Sequence, residues 1–392
     1  MFRSFILAVV LSASGALAQT STQVSDLIAA NGLEATALQL NGATSAEDRF
    51  ALGGVLFLRA IEESLQTRWQ HGMSRTGGML PVLRLPVAEN PDPDPFRPEL
   101  IVEMFAALIS NMEAARAQLD LIGDGDEVSI PLSLGDVWFD VNMDGQRSPQ
   151  EGLLSIAGTT LGIRGGTPPT IQFDTADAAW LSAYTHLLAA VGDLVLAFNP
   201  TPQIDRILQA DREMESMGGS TPYTNAYDMM LSTEIDLLAI AYFSLGQQPD
   251  PVRTRAAREN LLAMIRKNRV FWARVEAETD NFAEWIPNSQ QVSALGIPVP
   301  PETGERWLNL LSDGEDLLEG RKLIPFWRLR SGAGLNLLRL MEEPPPVDIA
   351  AWAHGIGLLP YFEDGERIST ENWWLFQDLV SGDAALFAVW LN

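Results

Sequence analysis

The chain has 392 residues, no cysteine and a net charge of −25 at pH 7. The lack of cysteine excludes disulfides, thiolate nucleophiles and cysteine metal sites, and the negative charge argues against nucleic acid or anionic lipid as a partner. Stability must come from burial of apolar surface, and the composition does not indicate which protein or glycan partner the chain has.

The first 18 residues have the pattern of a cleavable export signal. A basic start with Arg3 precedes the apolar stretch Phe5 to Ser12, which is far shorter than the roughly 20 residues that a membrane-spanning helix needs. Residues 16–18 read A-L-A, a signal-peptidase site, so the mature protein is predicted to begin at Gln19 with 374 residues. Loss of Arg3 makes its net charge −26. We expect an exported protein, periplasmic or secreted, without a transmembrane segment in its mature form.

Residues 19–392 are predicted to form a single, mainly α-helical globular domain. Apolar residues recur at helical spacing from Ser45 to Gln70, with Ser45 as the N-cap, and again from Ile101 to Ala115. Between these helices, the segment His71 to Pro98 contains two adjacent glycines and several prolines. This segment is predicted to be a long loop, either a lid or a disordered span.

The period changes in residues 122–173, which we interpret as a small inserted β-containing element. Apolar residues there recur at every second position, as in strands, at Val128, Ile130, Val137, Phe139 and Val141. Helical periods resume beyond the insertion, and helices are predicted at residues 175–198, 204–217, 225–245, 251–275, 302–318, 349–359 and 371–379.

Residues Asp140 to Glu151 read D-V-N-M-D-G-Q-R-S-P-Q-E, and this segment resembles EF-hand-like calcium loops at loop positions one, three, five, six, nine and twelve. Calcium is a hard ion that binds roughly six to eight oxygens. The resemblance implies Ca²⁺ as a structural cofactor, with Gly145 at the sharp turn. The implied metal ligands are the backbone carbonyl of Gln146 and the side-chain oxygens of Asp140, Asn142, Asp144, Ser148 and Glu151.

The loop departs from paired EF-hands in two ways. Arg147 occupies a position that is normally aliphatic, and the entry segment Gly135 to Phe139 looks strand-like, so we expect an isolated loop between a strand and a short helix. Three carboxylates in a lone loop suggest a dissociation constant of about 10⁻⁴ to 10⁻³ M. An ion-free loop is the alternative, since residues 148–151 also read as a capping box with Pro149 at the first helical position.

No catalytic residue or organic cofactor is assigned. The histidines His71, His186 and His354 lack the spacing of a zinc site, and no nucleophile elbow, Walker loop or dinucleotide fingerprint is present. His186 and Asp193 share one face of a helix with small residues, which indicates either a hydrogen-bonded pair beneath a close-packed helix or a cleft-lining pair.

The predicted helix 251–275 begins with the N-cap and first-turn pair Asp250 and Pro251. It carries seven basic residues, namely Arg253, Arg255, Arg258, Arg266, Lys267, Arg269 and Arg274. In so acidic a chain they are predicted to pair with carboxylates of the same protein. An anion-binding groove is the alternative.

Eleven tryptophans fit core packing, and stacking on sugar rings is the alternative use. The sequence favours an exported calcium-binding protein with a structural or binding role, in which calcium stabilises the fold. The alternative is a secreted or periplasmic enzyme that acts on a polysaccharide or envelope polymer. A pocket with two carboxylates and at least two tryptophans would favour that enzyme.

Overall fold

The computed structural model describes residues 23–74, 80, 82–158, 163, 166–218, 226–296, 300, 303–370 and 372–374. They form the mainly α-helical fold that the sequence predicts, with a few short strands. The predicted export signal, residues 1–18, lies outside the described residues, as does most of the predicted helix 371–379.

The helices are α1 (Gln23–Gln39), α2 (Ala46–Gln70), α3 (Glu99–Leu119), α4 (Leu153–Ala157), α5 (Thr175–Phe198), α6 (Thr201–Gly218), α7 (Ala226–Leu245), α8 (Pro251–Val275), α9 (Thr303–Leu318), α10 (Leu337–Glu342) and α11 (Ile349–His354). A 3-10 helix spans Ile356–Tyr361. Strands β1 (Ser129–Ser133) and β2 (Thr170–Asp174) form one antiparallel pair, and β3 (Ala333–Leu335) and β4 (Phe362–Asp364) form another.

Two predicted helix starts coincide with real caps. The Ser45 hydroxyl accepts a hydrogen bond of 3.0 Å from the Asp48 amide at the start of α2. The Asp250 carboxylate accepts one of 2.8 Å from the Val252 amide, and α8 begins at Pro251. The predicted helix 349–359 is interrupted at Gly355, where a φ of 96° ends α11 and the chain continues as the 3-10 helix.

Helix α5 lies in the core and packs against α3 and α8. Its small residues allow this close approach, because a Cβ on Gly192 would lie 2.8 Å from Cγ1 of Ile109 on α3. By length and composition α5 could cross a membrane, but 67% of its most apolar window is buried inside the protein. Burial of this kind is what a core helix of a globular protein shows.

The strand expected around Val137 and Val141 is not formed. Trp138 makes an isolated antiparallel bridge with Gly152, and a backbone hydrogen bond of 2.9 Å lies on each side of that bridge. Val137, Trp138, Phe139 and Val141 are all buried. The apolar spacing therefore reflects burial on more than one side of the chain, whereas a pleated strand would expose every second residue.

Trp138 fastens the insertion to α1. Its indole Nε1 donates a hydrogen bond of 2.8 Å to the Ile28 carbonyl, and its ring lies against Gly32. Gly32 has a φ of 77° and breaks the helical geometry inside α1. A glycine is required here because a side chain would combine an unfavourable backbone angle with a 3.1 Å contact to the Trp138 ring.

The predicted loop 71–98 has no helix or strand among its described residues until Pro98. Part of it is tied to α2 by Arg68, whose side chain is fully buried. The Arg68 guanidinium donates hydrogen bonds of 3.0 Å to the Val82 carbonyl and 2.7 Å to the Leu85 carbonyl. Burial lowers the pKa of Arg68 to about 10. Residues 82–85 are thus held against the helix.

Candidate calcium loop and neighbouring sites

The loop from Asp140 to Glu151 is anchored on α2. The Asp140 amide donates a hydrogen bond of 2.7 Å to Oε1 of Glu62, and Nε2 of Gln66 donates one of 2.8 Å to the Asp140 carbonyl. Glu62 is buried and pairs with Arg59 at 2.6 Å. Burial raises the pKa of Glu62, while its bonds to Asp140 and Arg59 oppose that rise. Arg59 also pairs with Glu63, four residues further along α2, at 3.3 Å.

Inside the loop, alternate side chains turn their oxygens toward the backbone amides of the loop. Oδ1 and Oδ2 of Asp140 accept hydrogen bonds of 3.0 Å each, from the amides of Asp144 and Gly145. Asn142 Oδ1 accepts from the Asp144 amide at 3.1 Å, and Asp144 Oδ1 accepts from the Gln146 amide at 2.7 Å. Gly145 has a φ of 70°, consistent with its expected place at the turn.

Glu151 closes the loop from its far end and is only 5% exposed. Its Oε1 accepts a hydrogen bond of 3.0 Å from the Val141 amide, and its Oε2 accepts one of 2.9 Å from the Ser148 amide. The Ser148 bond is half of the expected capping box. No helix begins at Pro149, however, because α4 starts at Leu153 with Gly152 as its N-cap.

The loop concentrates negative charge. Partial burial raises the pKa of Asp140, the carboxylates of Glu151 and Asp144 raise it further, and the amides of Gly145 and Asp144 oppose the rise. An all-oxygen set that contains three repelling carboxylates has the chemistry of a hard-cation site. Asp140, Asn142, Asp144, Ser148 and Glu151, with the Gln146 carbonyl, are the residues that would hold calcium.

A second acidic cluster lies at the start of α5, where the segment that follows α8 comes close to it. Among the residues that the structure describes, only Asp174, Glu278 and Glu284 form a group of three acidic side chains whose oxygens all lie within 4.8 Å of one another, close enough to hold a metal ion. The carboxylates of Asp140, Asp144 and Glu151 do not reach that spacing.

Carboxyl groups in and beneath the second cluster have raised pKa values. Burial, together with the Asp174 carboxylate, raises the pKa of Glu278 to about 7. Asp177 lies beneath the cluster, and burial raises its pKa well above the usual range. Sequence spacing does not predict this cluster, because its members come from chain segments about a hundred residues apart.

His186 and Asp193 are linked through Asn260 of α8. His186 Nδ1 lies 2.9 Å from Asn260 Oδ1, and Asn260 Nδ2 donates a hydrogen bond of 3.2 Å to Asp193. Arg253 pairs with the same carboxylate at 3.0 Å. Burial lowers the pKa of His186 to about 4, so this ring is neutral at pH 7. The arrangement matches the expected hydrogen-bonded pair beneath a close-packed helix.

Most basic residues of α8 are paired within the protein. Besides the Arg253 pair, salt bridges join Lys267 to Asp120, Arg269 to Glu315, Arg274 to Asp124, and Arg255 and Arg258 to Glu342. Arg266 is exposed and forms no ion pair with a described residue. The internal pairing expected from the sequence is therefore present in α8.

A cavity of about 250 Å³ lies between α2, α5 and the β1–β2 pair. Val137, Phe139 and Leu153, which flank the candidate loop Asp140–Glu151, form part of its wall. The lining includes Trp180 and Trp285, and Asp177 is the only carboxylate among its described residues. This apolar cavity differs from the cleft with two carboxylates that an enzyme acting on polysaccharide would need.

No family model, curated protein or solved structure matches the chain. Function therefore has to follow from the chemistry of the loop, the acidic cluster and the cavity.

Proposed function

We propose that this is an exported calcium-binding protein in which the Asp140–Glu151 loop has a structural role. The observation that carries the proposal is the interlocking of the loop: Asp140, Asn142 and Asp144 each direct a side-chain oxygen into it. Two groups of α2, Glu62 and Gln66, hold the same loop from outside.

A bound cation would act through the loop on the surrounding fold. The carboxylates of Asp140, Asp144 and Glu151 repel one another, and a divalent ion between them would replace that repulsion with attraction. At one flank of the loop, Trp138 donates a hydrogen bond to α1 and Phe139 forms part of the cavity wall. The gain in stability would therefore extend to α1 and the cavity. Movement of Glu151 toward the ion would exchange its hydrogen bonds from the amides of Val141, Asn142 and Ser148 for bonds to the ion.

The test is thermal unfolding of the mature protein in 10 mM calcium, in 10 mM magnesium and in chelator. For a dissociation constant of 10⁻⁴ to 10⁻³ M, calcium at 10 mM should stabilise the fold by about 1.4 to 2.7 kcal/mol, and magnesium by less. Asp144→Asn keeps the side-chain acceptor but removes a charge, so it should abolish most of the calcium effect. Asp364→Asn, at an exposed aspartate that also precedes a glycine, is the matched control and should retain it.

Two results would overturn the loop assignment. One is an identical melting temperature in calcium and chelator. The other is a calcium effect that survives Asp144→Asn but is lost in Glu278→Gln, since this would place the ion at the acidic cluster. Export is tested separately, by the mass of the protein recovered from outside the cytoplasm of the expressing cell, which should correspond to a chain that begins at Gln19.

A further inference from the structure

The cavity combines an unfilled volume with charged side chains in its lining, which a purely structural core does not require. Among the described residues that line it, the polar side-chain groups are those of Arg84, Asp177 and Tyr184 and the indole N–H groups of Trp180 and Trp285. Apolar voids in protein cores are usually small, because close packing is favourable and each unfilled space costs free energy. At about 30 Å³ for a water-sized group, 250 Å³ has room for roughly eight such groups.

Arg84 is part of the cavity lining and carries an unsatisfied donor. Its Nε is buried and has no hydrogen-bond partner, and its guanidinium forms no ion pair with any described residue. A buried donor without an acceptor is costly. Nε and the adjacent Nη of a guanidinium form a fork that fits the two oxygens of a carboxylate.

Asp177 does not supply the missing anion. Its Oδ2 already accepts a hydrogen bond of 3.0 Å from the Asp174 amide as part of the cap of α5. Burial and the neighbouring acids Asp174, Glu278 and Glu284 raise the pKa of Asp177 well above its usual range, which disfavours its charged form. Arg84 is therefore the cationic group that the described lining residues offer to an anion.

We propose that this cavity binds a single-chain fatty acid of medium length, whose carboxylate pairs with Arg84 while its alkyl chain lies between α2, α5 and the β1–β2 pair. The volume of about 250 Å³ accommodates one such chain. Aromatic rings line the path of the chain: Tyr184 stacks on Trp180 at 5.6 Å, and Trp180 meets Trp285 edge-on at 5.4 Å. The position of the Arg84 guanidinium depends on Arg68, because Arg68 donates hydrogen bonds to the carbonyls of Val82 and Leu85 on either side of Arg84.

This ligand site is independent of the calcium proposal, because none of the loop residues from Asp140 to Glu151 lines the cavity. Calcium binding could fail and the fatty-acid site stand, or the reverse. Ligand binding is therefore measured both in chelator and in calcium.

The test is isothermal titration calorimetry of the mature, delipidated protein with decanoate and with 1-decanol. Decanoate should bind saturably with a stoichiometry near one and at least tenfold more tightly than decanol, because a hydrogen-bonded ion pair in an apolar site contributes about that factor or more. Arg84→Gln should remove this preference and leave decanol binding within about twofold. Arg266→Gln, at the exposed arginine of α8, should change neither affinity.

A second variant tests whether the ligand occupies the cavity. No atom lies within 4 Å of a Cβ placed on Gly54, which lines the cavity from α2. Gly54→Leu should fill the space, abolish binding of both probes and leave the circular dichroism spectrum unchanged. The proposal is overturned if neither probe binds the wild-type protein, if decanoate and decanol bind equally, or if decanoate binds Gly54→Leu or Arg84→Gln as it binds the wild type.

Discussion

Nδ1 of His186 lies 2.9 Å from Oδ1 of Asn260, across the interface between α5 and α8. Because the same amide also donates to Asp193 at 3.2 Å, Asn260 satisfies two polar groups of the core helix at once. Asn260→Ala should leave both without that partner and lower the free energy of unfolding by about 1 to 3 kcal/mol. Urea unfolding measures this loss. Glu259→Ala, at the exposed neighbour on α8, should change stability by less than about 0.5 kcal/mol. Equal effects of the two variants would contradict the bridging role.

The acidic cluster predicts a pH dependence of stability. The folded protein raises the pKa of Glu278 from 4.5 to about 7, so the folded state binds this proton more tightly than the unfolded chain does. The stabilisation is present below pH 4.5 and is lost as the pH rises through 7. Glu278→Gln keeps an oxygen for the bond from Gln291 and cannot ionise. Relative to the wild type, this variant should gain roughly 1 to 2 kcal/mol of stability between pH 4.5 and 7.5, after allowance for solvent screening at a half-exposed site.

Urea unfolding at the two pH values measures this gain. Glu276→Gln, at an exposed glutamate of the same segment, is the matched control and should show no comparable change. A constant difference between Glu278→Gln and the wild type across the pH range would mean that Glu278 titrates alike in the folded and unfolded chain.

Adjacent glycines of α2 should respond in opposite directions to the same substitution. A Cβ on Gly53 would lie 2.7 Å from Cδ2 of Leu119 and 3.3 Å from the Ala115 carbonyl, so Gly53→Ala should separate α2 from α3 and cost about 1 to 3 kcal/mol. Gly54 faces open space, and Gly54→Ala should stabilise the helix by about 0.5 to 1 kcal/mol. Thermal unfolding of the two variants provides the comparison. Destabilisation of equal size in both would show that the helix does not pack as described.

Local chemistry made part of the fold predictable. Apolar spacing and the cap pair Asp250 and Pro251 define α8 from its first residue to its last. The long helix α5 follows from its period for the same reason. By contrast, α1 is broken at Gly32, where the ring of Trp138 packs, and no local pattern reveals a contact between residues more than a hundred positions apart.

The same division applies to the candidate sites. The candidate calcium loop is contained in twelve consecutive residues, so spacing alone can suggest it. The cluster of Asp174, Glu278 and Glu284 and the place of Arg84 beside Tyr184 arise only when distant segments meet. The alternating apolar residues from Val137 to Val141 wrongly predicted a strand, because these residues are buried on several sides. A period of two predicts a strand only when one face is solvated.

Arg68 tests whether the wall of the cavity depends on one buried tether. Arg68→Met keeps most of the apolar stem but removes the donors to the Val82 and Leu85 carbonyls, so the free energy of unfolding should fall by about 2 to 4 kcal/mol. Amide hydrogen exchange should accelerate in residues 82–85, and decanoate affinity should drop because Arg84 loses its fixed position. Arg266→Met, at the exposed arginine of α8, is the control for loss of charge alone. If exchange in residues 82–85 stays at the wild-type rate in Arg68→Met, other contacts of this segment hold the wall and the tether is dispensable.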